Sequence, residues 1–413
     1  MKILHLVGGD LNLGASKGAM ILHNGLLKEG VDSHILSDST LPKNFINGHS
    51  IKDNLILRLL NLLFNKFEKM IKFLLNRKIT PTFSFGIFGI NIKKLKIFKE
   101  ADIIHIHWLN QGFINLSHLK NCNKAIVWTL RDMWAFTGGC HWSSDCEKYK
   151  TGCGACPVLL SKKVKDITTG NQNKKIDFVN SNKNISITAI SGWLGKLGES
   201  SLVFKNKEIL NMGNNVEIEH FFPVDKQKAR EKIKIRTQKK ILIYGSQNPQ
   251  AKRKGWDILL QSFKNLDLSK YYLIIFGSFW SHRSLDDLGI EYKSFGYIKD
   301  VSMLRHIYSA GDFFLAPAIQ DGWPKTFGES LLCQTPVISF KNSAIGDVLT
   351  HNETGYIVEN YDSNELSNMI KDLSKPSMDT SIVQKNGRNL ILNHYSPSSI
   401  AKKYISLYKD IYK

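Results

Sequence analysis

The stretch from Phe313 to Phe340 does most to fix the kind of fold this chain can adopt. Phe313–Leu315 is a short apolar run that closes a strand. Gln320–Pro324 is a polar loop punctuated by glycine and proline. Thr326 is placed to N-cap a helix through Leu331 and Leu332, and Glu329, three residues on, would complete a capping box. Gln334–Pro336 breaks that helix and Val337–Phe340 restarts a strand. The order is strand, loop, helix, strand, the repeating unit of an α/β fold.

The same order recurs elsewhere. Lys2–Val7 reads as a buried strand and is followed by a loop carrying Gly8, Gly9, Gly14 and Gly18. A helix then places Ala19, Leu22, Leu26 and Leu27 at helical spacing, ends at Gly30, and gives way to a strand over 31–36. Lys239–Tyr244 starts another unit, with a polar loop over Gly245–Arg253 and a helix after Lys254-Gly255. The glycine spacing is not that of a dinucleotide-binding fingerprint. At 413 residues the chain exceeds one ordinary domain, and two α/β domains are expected.

Asp321 and Glu329 sit eight residues apart, one in the loop and one in the helix's first turn. Between them, backbone N–H groups point out of the helix start with the positive dipole end behind. Carboxylates accept from hydroxyls and amides donate to phosphate oxygens, so the pattern suits a ligand that is both polyol and phosphate. The plainer reading makes Glu329 a cap and Asp321 a loop acid. Arg253 and Lys254 lie at a strand–loop–helix junction suited to an anion, or are surface charge.

Ala101–Trp108 alternates His105 and His107 on one face, as metal ligands or as core and rim polar groups. His107, Trp108 and Asn110 lie at the strand's C-terminal end, where open α/β sheets place ligands. Arg131 and Asp132 follow another strand, Ala125–Leu130. Cys140, Cys146, Cys153 and Cys156 are spaced C-x5-C-x6-C-x2-C, suited to a closed structural zinc site; free thiols or disulfides are the alternatives.

A formal charge of +20 points to nucleic acid, an anionic membrane surface or an anionic substrate, or to a lysine-rich usage at solvated positions. No reader helix or RNA-binding motif accompanies it, so no nucleic-acid partner is expected, although a basic nucleic-acid-binding protein is the competing class. Residues 51–78 form an amphipathic helix with Leu55, Leu59, Leu63, Phe67, Met70, Ile71 and Leu74 on one side and a strongly basic remainder. It suits an anionic bilayer surface, or a pair of helices packed on the first domain. MKILHLV is too short for a secretory signal and leads into Gly-Gly-Asp, and no uninterrupted apolar stretch is long enough to span a bilayer. A cytoplasmic protein is expected, peripheral on the inner face of the membrane.

QDGWPKTFGESLLCQTPVISF resembles the E-x7-E signature of retaining glycosyltransferases of family 4, here as a D-x7-E variant. The resemblance implies the GT-B fold, an α/β architecture of two Rossmann-like domains facing across a cleft. Residues 1–214 would form the acceptor domain, with a final helix over 397–413 packing back on it, and 215–396 the nucleotide-sugar donor domain, the linker being Asn214-Asn215-Val216-Glu217. The activity implied is transfer of a sugar from a nucleotide diphosphate sugar to a hydroxyl of a growing, lipid-linked glycan, with no cofactor for catalysis. A phosphorylase-like or hydrolytic use of the cleft is the variant within the fold.

On the same resemblance Glu329 would hold the ribose, Asp321 would face the sugar, and Trp323, Pro324, Lys325 and Thr326 would cradle sugar and phosphate. Lys254 would bind the diphosphate. The family's preceding arginine is absent from Ser246-Gln247-Asn248, and Arg253 is the candidate to replace it. Gly14 and Ala15 would approach the donor phosphates, and Gly296 and Tyr297 the base. His107, Trp108 and Asp132 fall on the acceptor side. Arg131 stands where the family has the histidine of a His-Asp pair; being permanently charged, it is no base, but suits a leaving phosphate or an acidic acceptor. The cysteine segment resembles a loop in a polysaccharide-biosynthesis branch of the family.

Overall fold

The structure, a computed structural model, describes residues 1–12, 14–42, 44–75 and 83–412. In chain order the elements begin with β1 (Lys2–Val7), α1 (Gly14–Lys28), β2 (Asp32–Ser37), β3 (Gly48–Ser50), α2 (Leu55–Leu75) and α3 (Lys96–Glu100). They continue with β4 (Ile103–Trp108), β5 (Ala125–Leu130), α4 (Ile167–Ser181), β6 (Ile185–Ala189), α5 (Gly192–Glu199) and β7 (Ile209–Asn211). Next come α6 (Lys226–Lys232), β8 (Lys240–Gly245), α7 (Trp256–Phe263), β9 (Tyr271–Phe276), α8 (Arg283–Leu288), β10 (Glu291–Ser294) and α9 (Val301–Ala310). The last are β11 (Phe313–Ala316), α10 (Lys325–Leu332), β12 (Val337–Phe340), β13 (Tyr356–Val358), α11 (Ser363–Leu373), α12 (Ser381–His394) and α13 (Pro397–Ile411).

The chain divides into two compact units, Met1–Asn215 with Pro397–Lys413, and Val216–Ser396. Unit 1 holds a seven-stranded sheet in the order β3-β2-β1-β4-β5-β6-β7, and unit 2 a six-stranded sheet in the order β10-β9-β8-β11-β12-β13. Every strand pair is parallel. Parallel sheets are covered on both faces, which is why their strands read as unbroken apolar runs. AIVWTL of β5 is buried at every position, and YYLIIF of β9 at all but one. In each sheet the strand order reverses once at the centre, between β1 and β4 and between β8 and β11. The connections leave in opposite directions there and open a crevice at the strands' C-terminal ends.

Helix α13 belongs to unit 1 although it comes last in the chain. Tyr404 and Tyr408 are buried on it. The Tyr408 hydroxyl meets His105 Nδ1 at 2.5 Å, and the Tyr404 hydroxyl meets Thr129 Oγ1 at 3.0 Å.

Helix α2 is docked the reverse of an ordinary amphipathic helix. Its buried residues are Asn61 and Glu68. Asn61 Nδ2 donates to the Gln111 carbonyl at 3.3 Å, and Glu68 Oε1 accepts from the Phe85 N–H at 2.9 Å. Lys72 lies 3.6 Å from the same carboxylate. Ile56, Phe73 and Leu74 are 69%, 56% and 72% exposed, and Leu59, Leu63, Phe67 and Met70 are exposed with them. The sequence places one helix over 51–78. A 3-10 turn at Ile51–Asp53 instead precedes α2, and 76–78 lie outside the described residues.

Candidate functional site

In unit 2 the reversal crevice is lined by Tyr244, Ser246, Lys254, Pro317, Pro324 and Thr326, among others. Lys252–Lys254 form one 3-10 turn, ended by Gly255 at φ 73°. A side chain at Gly255 would overlap the Pro317 carbonyl oxygen. Glycine is therefore what lets the basic turn close onto the end of β11. The turn is then tied down: Ile319 N and Gln320 N donate to the Arg253 carbonyl at 2.8 and 3.1 Å, and Arg253 Nη1 donates to the Gln320 carbonyl at 3.1 Å.

This closure brings Asp321 to both cations. Lys254 Nζ pairs with Asp321 Oδ2, and Arg253 Nη1 lies 3.4 Å from the same oxygen. Burial pushes the Asp321 carboxyl up, but Lys254 and then Arg253 draw it below its usual value; burial lowers the Lys254 ammonium. Two cations therefore converge on one carboxylate at the crevice. A ligand carrying two or more negative charges is complementary to it.

The capping box expected at Thr326 does not form. Helix α10 starts two residues earlier, with Pro324 at the N-cap and no side-chain cap bond. Glu329 is turned inward instead, 9% exposed, and accepts from the Tyr308 hydroxyl at 2.8 Å. Tyr308 is fully buried on α9, and burial and then Glu329 hold its hydroxyl well above the usual range. Nor are all four expected backbone donors free for a ligand. The Trp323 N–H donates to Asp321 Oδ1 at 3.3 Å, and Pro324 has no N–H. Trp323 also packs its ring on Phe327 and Tyr395, at centroid distances of 4.4 and 5.5 Å. Lys325 and Thr326 open α10.

In unit 1, Gly14 and Ala15 begin α1, Gly14 exposed at φ 45°. His107 and Asn110 are 4% and 1% exposed, so they belong to the core and not to a rim; Trp108 is partly exposed. His5, His105 and His107 gather their ring nitrogens within 4.8 Å of one another. The hydrogen bonds assign them to a polar network. Arg131 Nε donates to His107 Nδ1 at 3.3 Å, so the other nitrogen of His107 carries the proton and donates to His5 Nδ1 at 2.9 Å. His105 spends its nitrogens on Tyr408 and on Thr129 Oγ1, at 2.5 and 2.6 Å. A guanidinium beside the trio opposes a metal cation. Asp132 accepts from Trp134 N at 2.8 Å and binds His141 Nδ1 at 2.7 Å.

This network makes a pH prediction. Burial first, then neighbouring charge, holds His5, His105 and His107 well below the ordinary imidazole value, and burial lowers His23 to about 4. The unfolded chain takes up these protons near pH 6.5, while the folded chain refuses them. Stability is therefore complete above about pH 6.5 and lost below it, by up to about 1.4 kcal/mol per pH unit for each histidine. Asp38, raised by burial to about 6, offsets part of the loss by binding its proton in the folded state first. Urea midpoints at pH 7, 6 and 5 should fall in that order; equal midpoints would contradict the neutral trio.

The cysteines are all free. The Cys140 and Cys156 thiols are hydrogen-bonded to each other, which is the main reason Cys156 falls to about 7. Burial raises Cys153 to about 11 although its sulfur accepts from Gly138 N at 3.2 Å. Among the described residues, the histidine trio is the group of three ligand atoms at metal-binding spacing; the four cysteines form no such group.

His5, His141 and Tyr308 were not marked by the sequence. Each is a single polar residue whose partner is distant in the chain, and no local pattern announces it.

Residues 225–409 match the family described as Glycosyl transferases group 1, which covers most of unit 2 and runs into α13. The chain is 27% identical over 230 residues to the capsular polysaccharide biosynthesis glycosyltransferase CapM of Staphylococcus aureus. That match takes in 53% of this chain and 59% of CapM, less than two thirds of the relative. Sucrose-phosphate synthase from Thermosynechococcus elongatus superposes with a TM-score of 0.69 at 17% identity, covering 100% of this chain and 99% of that one. Anabaena HepE in complex with UDP-glucose gives 0.67 at 14% identity, covering 99% and 100%. Two parallel-sheet units, each reversing its strand order once, together with these likenesses, establish that the chain has the GT-B glycosyltransferase fold.

Proposed function

We propose that the protein is a retaining glycosyltransferase that moves a sugar from a nucleoside diphosphate sugar to a hydroxyl of a growing, lipid-linked surface glycan. The observation that carries this reading is the Arg253–Lys254–Asp321 cluster at the strand reversal of unit 2. Departure of the nucleoside diphosphate builds charge on its phosphate oxygens, and fixed cations there favour the transition state over the bound substrate. Glu329, anchored by Tyr308, would accept from the ribose hydroxyls, and Asp321 would turn from Lys254 toward the sugar. Binding of UDP-glucose by HepE and the capsular role of CapM support the substrate class.

UDP and GDP are the direct test. One of them should raise the melting temperature of the full chain, and the matching sugar nucleotide should be slowly hydrolysed. If neither nucleotide shifts the melt, the donor site is wrongly assigned.

The outward apolar face of α2 supports contact with an anionic bilayer, where a lipid-linked acceptor would be presented. No helix among the described residues is long and apolar enough to cross a membrane, so the contact would be peripheral. Arg58, Lys66 and Lys69 stand on the helix with that face, and each basic residue near a charged surface is worth about 1 kcal/mol. The double substitution Leu63→Ser with Phe67→Ser should weaken sedimentation with anionic vesicles about a hundredfold, from about 3 kcal/mol of lost apolar burial. Both side chains are already exposed, so the melting temperature should hold. Unchanged sedimentation would remove α2 from the membrane contact.

A further inference from the structure

Arg131 is a buried charge that pairs with no acid among the described residues. It follows β5 and is 7% exposed. Its Nε donates to His107 Nδ1 and its Nη1 donates to Asn214 Oδ1 at 3.2 Å, and both acceptors are neutral groups. Its Nη2 has no hydrogen-bond partner among the described residues. Among the described residues no carboxylate acts on it. Burial lowers the guanidinium to about 10, which leaves it charged at neutral pH.

Such a cation is costly to bury, and among the described residues only the neutral acceptors His107 and Asn214 offset that cost by hydrogen bonds. Yet the fold makes room for it. A side chain at Gly18 would overlap Arg131 Nη1, so the glycine of α1 is what admits the guanidinium. Asn215 Nδ2 donates to the Gly18 carbonyl at 3.2 Å, while Asn215 Oδ1 is buried with no partner among the described residues. The uncompensated fork therefore stands among neutral polar groups, just past the C-terminal end of a sheet strand, where this class of fold receives ligands.

We propose that Arg131 is an anion-recognition residue of unit 1 and pairs with a carboxylate or phosphate group carried by the acceptor glycan. The acceptor is thus an acidic sugar chain. The guanidinium is planar and presents parallel N–H donors that match an oxyanion at two points, which a lysine in its place could not do. This rests on the glycosyl-transfer reading above and adds the charge of the acceptor to it.

Calorimetric titration of the full chain tests it with four probes: glucuronate, glucose, inorganic phosphate and UDP. Wild-type protein should bind glucuronate or phosphate at least about tenfold more tightly than glucose, the scale of a charge-assisted hydrogen bond. Preference for glucuronate assigns a uronic acid; preference for phosphate assigns a phosphorylated acceptor where Arg131→Met abolishes it, and phosphate held at Arg253 and Lys254 where it does not, which overturns the proposal. Arg131→Met should bring the preference within twofold while UDP binding is retained. Arg131→Lys keeps the charge and loses the fork; it should keep less than half of the preference, and serves if the methionine variant does not fold. A wild-type protein that binds glucose as tightly as both anions overturns the proposal and leaves the donor reading intact. Loss of UDP binding in both variants overturns it too, by moving Arg131 to the donor phosphate. Failure of UDP to bind wild type, with anion preference intact, would fall on the donor reading alone.

Discussion

Lys254→Ala should lower turnover of a sugar nucleotide by about a thousandfold, the upper range for removing one fixed donor from a developing anion. The ammonium is held at the unit 2 strand reversal by a turn that cannot shift without breaking the Arg253 carbonyl bonds to Ile319 and Gln320. Substitution also takes the closer cation from Asp321, whose carboxylate keeps Arg253 at 3.4 Å. Asp321→Asn separates the two roles. It removes the negative charge that Lys254 and Arg253 share, so UDP should bind more tightly while turnover falls, because the carboxylate proposed to face the sugar is gone. Steady-state rates with nucleotide affinity measured alongside will decide. Turnover within threefold of wild type in Lys254→Ala would remove that lysine from catalysis.

Gly255→Ala should cost about 2–5 kcal/mol of unit 2 stability, from two sources. The residue sits at φ 73°, where any side chain is strained, and the added methyl would meet the Pro317 carbonyl oxygen. Relief would require the Lys252–Lys254 turn to move off the end of β11, so nucleotide binding should fail along with stability. Denaturant unfolding measures the first effect and calorimetry the second. A variant as stable as wild type would mean that the turn and β11 are not in contact at all. By contrast Gly14, also at positive φ, has open space at its side-chain position, so the strain there is of backbone alone.

The strands were legible because burial on both faces leaves unbroken apolar runs such as AIVWTL and YYLIIF. The segment around Asp321 and Glu329 was legible because its punctuation is local. What Glu329 does was not. Its partner, Tyr308, lies 21 residues earlier on another helix and reads there as one more core aromatic. The Lys254–Asp321 pair spans 67 residues, and only the strand order brings its members together. Periodicity likewise announced that α2 has an apolar face but not which face docks. Asn61 and Glu68 decided it by satisfying the Gln111 carbonyl and the Phe85 N–H. The direction of a helix is thus set by backbone groups elsewhere that its own sequence cannot display.

The return of α13 to unit 1 has a consequence for the chain as it leaves the ribosome. Tyr404 and Tyr408 close the polar centre of the first sheet, and they follow all of residues 216–396 in synthesis. Residues 216–396 are by then complete. Domains usually mature in the order of their synthesis; here the earlier one must wait half-finished for the later. Stalling translation before residue 397 should yield nascent chains whose second unit resists protease while the first is still cut.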